Sequence, residues 1–303
     1  MSHEADRMSK SKDLRMNRRV AAPVVIFALA WSCIHALPAA AQPELRNPKI
    51  TFDYYEPRDP KFAPLYQRLQ DRRVLEELSK FLAPVKWPNT LRLVIKECPA
   101  SSAAPQQPQV FYTGNDRSLT ICYQWFAFLE ALRPQPAFGT RQEVVVGGLL
   151  GIVLRESARA VFDMLQVPLL GDEGDAADQA SAFTALQFDD EIARVTIKGS
   201  YFVWKKYDDE LTVDDKPYNF STRSSLPRQR MYNTLCIAYG SGRTLFKTFV
   251  DQGDLISTRA ETCADEYRLV QAAFRRTIVP HVDLEAMKKV QSTKWLEPGD
   301  LRH

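Results

Sequence analysis

The stretch Thr140–Leu165, TRQEVVVGGLLGIVLRESARAVFDML, decides how this chain is read. Thr140 with Glu143 three residues on is a capping box, the start signal of a helix. Val144, Leu149, Leu150, Ile152, Val153 and Leu154 then place apolar side chains nearly all round. A helix apolar on every side is a buried one, so the stretch predicts a central helix running to about Leu165. Val146-Gly147-Gly148-Leu149 falls inside it, where missing Cβ atoms permit close packing rather than cradling a phosphate. After Leu154 the apolar run gives way to Arg155-Glu156-Ser157-Ala158-Arg159. Residues 155 and 159 are one turn apart and face the same way.

Outward from this helix the two sides differ. On the N-terminal side, Lys49–Tyr55 and Leu91–Glu97 read as strands, and Val110–Tyr112 and Leu119–Cys122 flank Gly114-Asn115-Asp116-Arg117 as a hairpin. Leu65, Leu69, Leu75, Leu78 and Leu82 give one helix or two short ones. Ser101–Pro108 is a polar loop, and Tyr123–Leu132 is an apolar helix stopped by Pro134 and Pro136. On the C-terminal side, helices are expected from Asp172 to about Phe188, and at roughly 190–206, 226–239, 243–252 and 261–290. The fold class is α+β, a small β-rich part leading into a helical remainder. One domain over 42–303 is expected.

The chain has 303 residues, with 40 basic and 37 acidic side chains. Six of the basic and three of the acidic ones lie in residues 1–41, so residues 42–303 carry no net formal charge. A neutral body offers no electrostatic footprint for nucleic acid. Met16-Asn17-Arg18-Arg19, the apolar Val20–Leu37 and the small residues Pro38–Ala41 form a secretory signal, with cleavage expected after Ala41. Met1–Arg15 is long and polar for such a signal, which leaves Met8 or Met16 as alternative starts. An uncleaved membrane anchor is the rival reading. We expect an exported, periplasmic or secreted protein without a membrane segment after cleavage. Cys98, Cys122, Cys236 and Cys263 agree with export, because an even count in an oxidising compartment suggests two bridges with three possible pairings. Proximity favours Cys98–Cys122 and Cys236–Cys263.

A zinc peptidase carries two histidines at the spacing of residues 155 and 159, with a glutamate after the first as general base. Glu156 stands in that place, between two arginines. Several segments accompany it in order: Tyr54-Tyr55 with Arg58-Asp59-Pro60, Arg73–Leu78 (RVLEEL), Thr120–Tyr123 (TICY), Pro168–Gly171 (PLLG), Asp175–Gln179 (DAADQ), Gln229–Asn233 (QRMYN), Cys236–Gly240 (CIAYG) and Cys263–Tyr267 (CADEY). With these the chain resembles a family of secreted bacterial proteins described as putative metallopeptidases, from about Tyr54 to Tyr267. The resemblance implies a zincin-like fold and a zinc site of the gluzincin type, with H-E-x-G-H on the central helix and a glutamate ligand on the next. Carried over, the histidine positions hold Arg155 and Arg159. The third ligand position, one turn before Asp178, holds Gly174, and Asp178 is the residue that would orient a ligand histidine. A histidine common before Gln229 in the family is replaced by Ser224 and Ser225.

The histidine count says the same independently: only His3, His35, His281 and His303, with no pair at ligand spacing. No zinc cofactor is therefore expected. Glu156 is expected as a remnant of the general base, in a cleft with Arg155, Arg159, Gly174 and Asp178. A guanidinium can satisfy a carboxylate left behind by a lost cation, so Arg159 is expected to pair with Asp178 and Arg155 with a nearby acidic or carbonyl group. The alternative is that both point into solvent. Asp172, Glu173, Asp175 and Asp178 could hold a hard cation or simply complement a helix N-terminus. Trp125–Leu129 reads as core rather than a binding stripe. The function expected is an exported, metallopeptidase-like, non-catalytic protein whose cleft binds a peptide or envelope partner beside the edge strand Val110–Tyr112. A peptidase with non-standard ligands and a purely structural envelope protein are the alternatives. Nothing in the chain specifies an oligomeric state.

Overall fold

A computed structural model describes residues 45–99, 110–134, 139–210 and 225–296. The expected signal segment, His3, His35 and His303, the loop Ser101–Pro108, Pro136 and Ser224 lie outside the described residues.

Four strands form the sheet: β1 (Ile50–Tyr54), β2 (Leu91–Lys96), β3 (Val110–Thr113) and β4 (Ser118–Cys122). Their order is β1-β2-β4-β3, with β1, β2 and β4 parallel and β3 antiparallel at an edge. The parallel β1–β2 pair requires a crossover, supplied by α1 (Ala63–Asp71) and α2 (Val74–Phe81). These are two helices because Arg73, between them, adopts a left-handed conformation with φ 51°. All five leucines of the repeat are buried. The β3–β4 connection turns at Gly114–Arg117, as the hairpin motif predicts, with Arg117 at φ 51°. Leu91, Leu93, Ile95, Leu119 and Ile121 alternate onto one fully buried sheet face.

The helical remainder comprises α3 (Tyr123–Ala131), α4 (Arg141–Met164), α5 (Glu173–Ala185), α6 (Asp190–Glu210), α7 (Pro227–Gly240), α8 (Cys263–Thr277) and α9 (Leu284–Ser292), with short turns between. The central helix α4 starts at the predicted capping box, with Thr140 and Glu143 bonded reciprocally. It packs against α6, α5, α3 and β3. At its crossing with α6, a Cβ on Gly147 would lie 1.9 Å from the Val195 carbonyl oxygen and one on Gly199 2.3 Å from the Gly147 carbonyl carbon. The two glycines are what lets the backbones touch. Trp125, Phe126 and Leu129 on α3 are buried core.

Two expectations on the C-terminal side need correction. Residues 261–290 are not one helix: α8 ends at Thr277, a 3-10 turn covers Val279–His281, and α9 begins after Asp283. Pro280 removes a backbone donor and disfavours helix at the residue before it, while the Asp283 side chain accepts from the Glu285 and Ala286 N–H groups. Residues 243–252 are likewise a 3-10 turn (Thr244–Phe246) and a single helical turn (Thr248–Asp251), not a full helix. The bridges are Cys98–Cys122, joining the end of β2 to the end of β4, and Cys236–Cys263, joining α7 to α8. Among the described residues no helix is long and apolar enough to cross a membrane.

Candidate functional site

α4 brings Arg155, Glu156 and Arg159 to its face opposite α5 and β3. Glu156 is 1% exposed, and Arg155, Asp178 and Arg230 are 8%, 6% and 8% exposed. Charges buried to this degree survive only when paired and hydrogen-bonded, and here every one is. The Arg155 Nε donates to Asp178 Oδ1 at 2.9 Å, and its Nη1 donates to Glu156 Oε1. The Arg159 Nη1 donates to Glu156 Oε2 at 3.1 Å and its Nε to Glu173 Oε1 at 3.0 Å. Asp178 is clamped from its other side by Arg230 on α7, whose Nε and Nη2 lie 2.6 and 2.9 Å from its two oxygens. That guanidinium also sits 3.5 Å from the centre of the Trp204 ring, a cation–π contact from α6. Three guanidiniums meet three carboxylates, so this cluster carries no net charge.

The expected pairing of Arg159 with Asp178 is not found; Arg155 takes Asp178, and Arg159 takes Glu173. The reason is the direction of the helices. The short connection 165–172 sends α5 back along α4, so a step from residue 155 to 159 on one corresponds to a step from 178 to 173 on the other. Neither arginine is turned out into solvent. Burial by itself would lower the pKa of Arg159, but the Glu156 and Glu173 carboxylates outweigh it and the net shift is upward. Gly174 lies half-buried on the first turn of α5, beside Glu173.

Glu156 is further engaged by the sheet. Its Oε2 accepts the Tyr112 backbone N–H at 2.9 Å. Tyr112 also donates its hydroxyl to Asp163 Oδ2 at 2.7 Å, and burial, then that carboxylate, push the phenol pKa up. The edge strand β3 is thus tied to α4 at two points. The N–H that Glu156 takes is one turned away from β4, on the open side of the strand.

The donor set does not fit zinc. Both positions flanking Glu156 carry guanidiniums, which have no lone pair for a metal, and the oxygens of Glu156 and Asp178 are bonded to them. Among the described residues no three His, Cys, Asp or Glu side chains form a group that could hold a metal ion. Asp172 caps α5 by accepting the Asp175 N–H, Asp175 accepts the Ser225 hydroxyl at 2.6 Å, and Glu173 and Asp178 are paired as above. The acidic run therefore acts as a helix start. His281 is exposed in a 3-10 turn.

Sequence reasoning missed Arg230 as a site residue. It stands within the segment QRMYN, and its one local sign is an arginine among the positions that α7 buries, Met231, Thr234 and Leu235. Only the convergence of α5, α6 and α7 reveals its partners.

No curated protein and no solved structure matches the chain. The model of one family, described as "Putative metallopeptidase", matches residues 54–278, which take in β2 to β4, the central helix and every member of the ion-pair cluster. With most of its length matched in this way, the chain belongs to that family.

Proposed function

We propose that this chain is an exported, zincin-like family member that has exchanged a catalytic metal for an internal ion-pair network and no longer cleaves peptides. The observation that carries this reading is the commitment of Glu156. A general base must reach a water or substrate proton, yet both Glu156 oxygens are occupied by Arg155, Arg159 and the Tyr112 N–H. The arginines substitute for the cation electrostatically, pairing with Asp178 and Glu156 in a buried place without offering a Lewis acid. Two bridges support an oxidising compartment, in line with removal of residues 1–41 on export. Residues 42–303 then act as one domain.

The remaining role is binding. Because the six charges balance one another, a bound peptide would gain little from the guanidiniums. A peptide pairing with the open side of β3, next to the exposed Phe111, would take over the Tyr112 N–H that Glu156 now holds. An extended segment of a peptide or envelope protein is the partner class this arrangement suits.

The test is to incubate the exported protein with zinc, remove free metal, and measure bound metal together with cleavage of a broad peptide library. We expect neither stoichiometric zinc nor chelator-sensitive cleavage. Stoichiometric zinc with cleavage that a Glu156→Gln variant abolishes would overturn the reading.

A further inference from the structure

The central helix has a second buried face, turned away from the ion pairs. Leu154, Ser157, Ala158 and Val161 line a cavity of about 70 Å³ there, facing Ala180 of α5 and Trp87 just before β2. No charged side chain lines it. The Trp87 indole donates to the Leu82 carbonyl at 3.4 Å, whereas the Ser157 hydroxyl, on a residue 5% exposed, has no hydrogen-bond partner among the described residues. Buried hydroxyls are seldom left so, and a helical serine usually has the carbonyl four residues back to fall upon.

One wall of the cavity is chain that lies beyond the family match. That match ends at residue 278, and Val282 and Met287 complete the wall. They are held there by the Lys86 N–H bonded to the His281 carbonyl at 2.8 Å, the Asp283 N–H bonded to the Pro84 carbonyl at 2.7 Å, and a bridge between Val85 and Val282. The C-terminal segment thus deepens an apolar face into a partly open pocket, lined by the unpartnered Ser157 hydroxyl and, on α5, by Thr184.

We infer that this pocket binds a small neutral aliphatic molecule with a single hydrogen-bonding group, the alkyl part against the apolar walls and the polar atom on Ser157 Oγ. Neutrality follows from the lining, since an ion placed there would lose its hydration with no counter-charge. Size follows from the volume, about half of the roughly 150 Å³ that admits benzene in an engineered apolar cavity, which suits a chain of one or two carbons. Met287 at the wall is flexible enough to adapt to the occupant. Mostly apolar lining with few polar groups is the usual make-up of a small-molecule site.

The test uses the exported protein with methyl-labelled methionine, titrated with ethanol and, separately, with xenon, while the Met287 methyl is followed by NMR. Both probes should shift it saturably. Ser157→Ala should weaken ethanol by about threefold to tenfold, the usual worth of one neutral hydrogen bond, and leave xenon unchanged. Ala158→Leu, which fills the cavity, should abolish both responses; Ala180→Val fills it from the other side should the first variant fold poorly. A shift that only grows linearly with concentration, a response that survives both filling variants, or ethanol binding indifferent to Ser157→Ala would overturn the inference. No residue of the ion-pair cluster takes part, so the outcome is independent of whether the protein binds zinc.

Discussion

Asp178→Asn is the sharpest perturbation of the network. Asparagine keeps the volume and one acceptor oxygen but removes the charge that two guanidiniums share. Arg155 would retain Glu156, whereas Arg230, held at 2.6 and 2.9 Å by Asp178, would be left with the Trp204 ring. Removing one partner of a buried ion pair costs about 3–5 kcal/mol. At about 2–4 °C per kcal/mol for a chain near this size, the melting temperature should fall by about 6–20 °C. Arg268→Ala, which breaks an exposed pair with Asp265, is the control and should stay within about 0.5 kcal/mol of the parent. The decisive arm is the double variant Asp178→Asn with Arg230→Met. If the cost is an orphaned cation, deleting that cation returns part of the stability. Differential scanning calorimetry of the four proteins reads this directly. A drop for Asp178→Asn no larger than the control's, or a double variant less stable than Asp178→Asn alone, would refute the counter-ion role.

Three more outcomes follow from the packing and charges. Gly199→Ala should destabilise by about 1–3 kcal/mol in urea unfolding, since its Cβ would strike the α4 backbone, whereas Gly171→Ala, with nothing within 4 Å, should be nearly silent. Removing the Cys236–Cys263 bridge by a double alanine substitution opens a loop of separation 27 and should cost about 3.5 kcal/mol in the chain-entropy model, measured under non-reducing conditions. Burial opposes ionisation of Glu143, but the Thr140 N–H and Arg194 outweigh it and hold the carboxyl below its usual 4.5. Its contribution is therefore complete above that pH and is lost as pH falls through the lowered folded value. Glu143→Gln, which keeps the capping box, should flatten the stability slope below that pH in urea unfolding, and identical slopes would show that the carboxylate contributes nothing.

Local signals carried much of the fold. Thr140 with Glu143, an apolar girdle and two mid-helix glycines specify a buried helix in any surroundings, because capping and burial on all sides are properties of a few adjacent turns. The alternation in Leu91–Glu97 and the turn at Gly114–Arg117 are equally local, and so is the chemical fact that arginine stands on both sides of Glu156. Where the reading failed, the determinant was not in the segment. Residues 261–290 hold their helical spacing on paper, yet Pro280 and the Asp283 cap divide them. The partners of the charged residues were decided by tertiary structure alone. The antiparallel return of α5 gives Asp178 to Arg155 and Glu173 to Arg159, and α7 adds Arg230 from more than fifty residues away. A sequence can state which charges a buried helix carries; the low-dielectric interior then demands that each be neutralised, and only the packing of the other helices determines by whom.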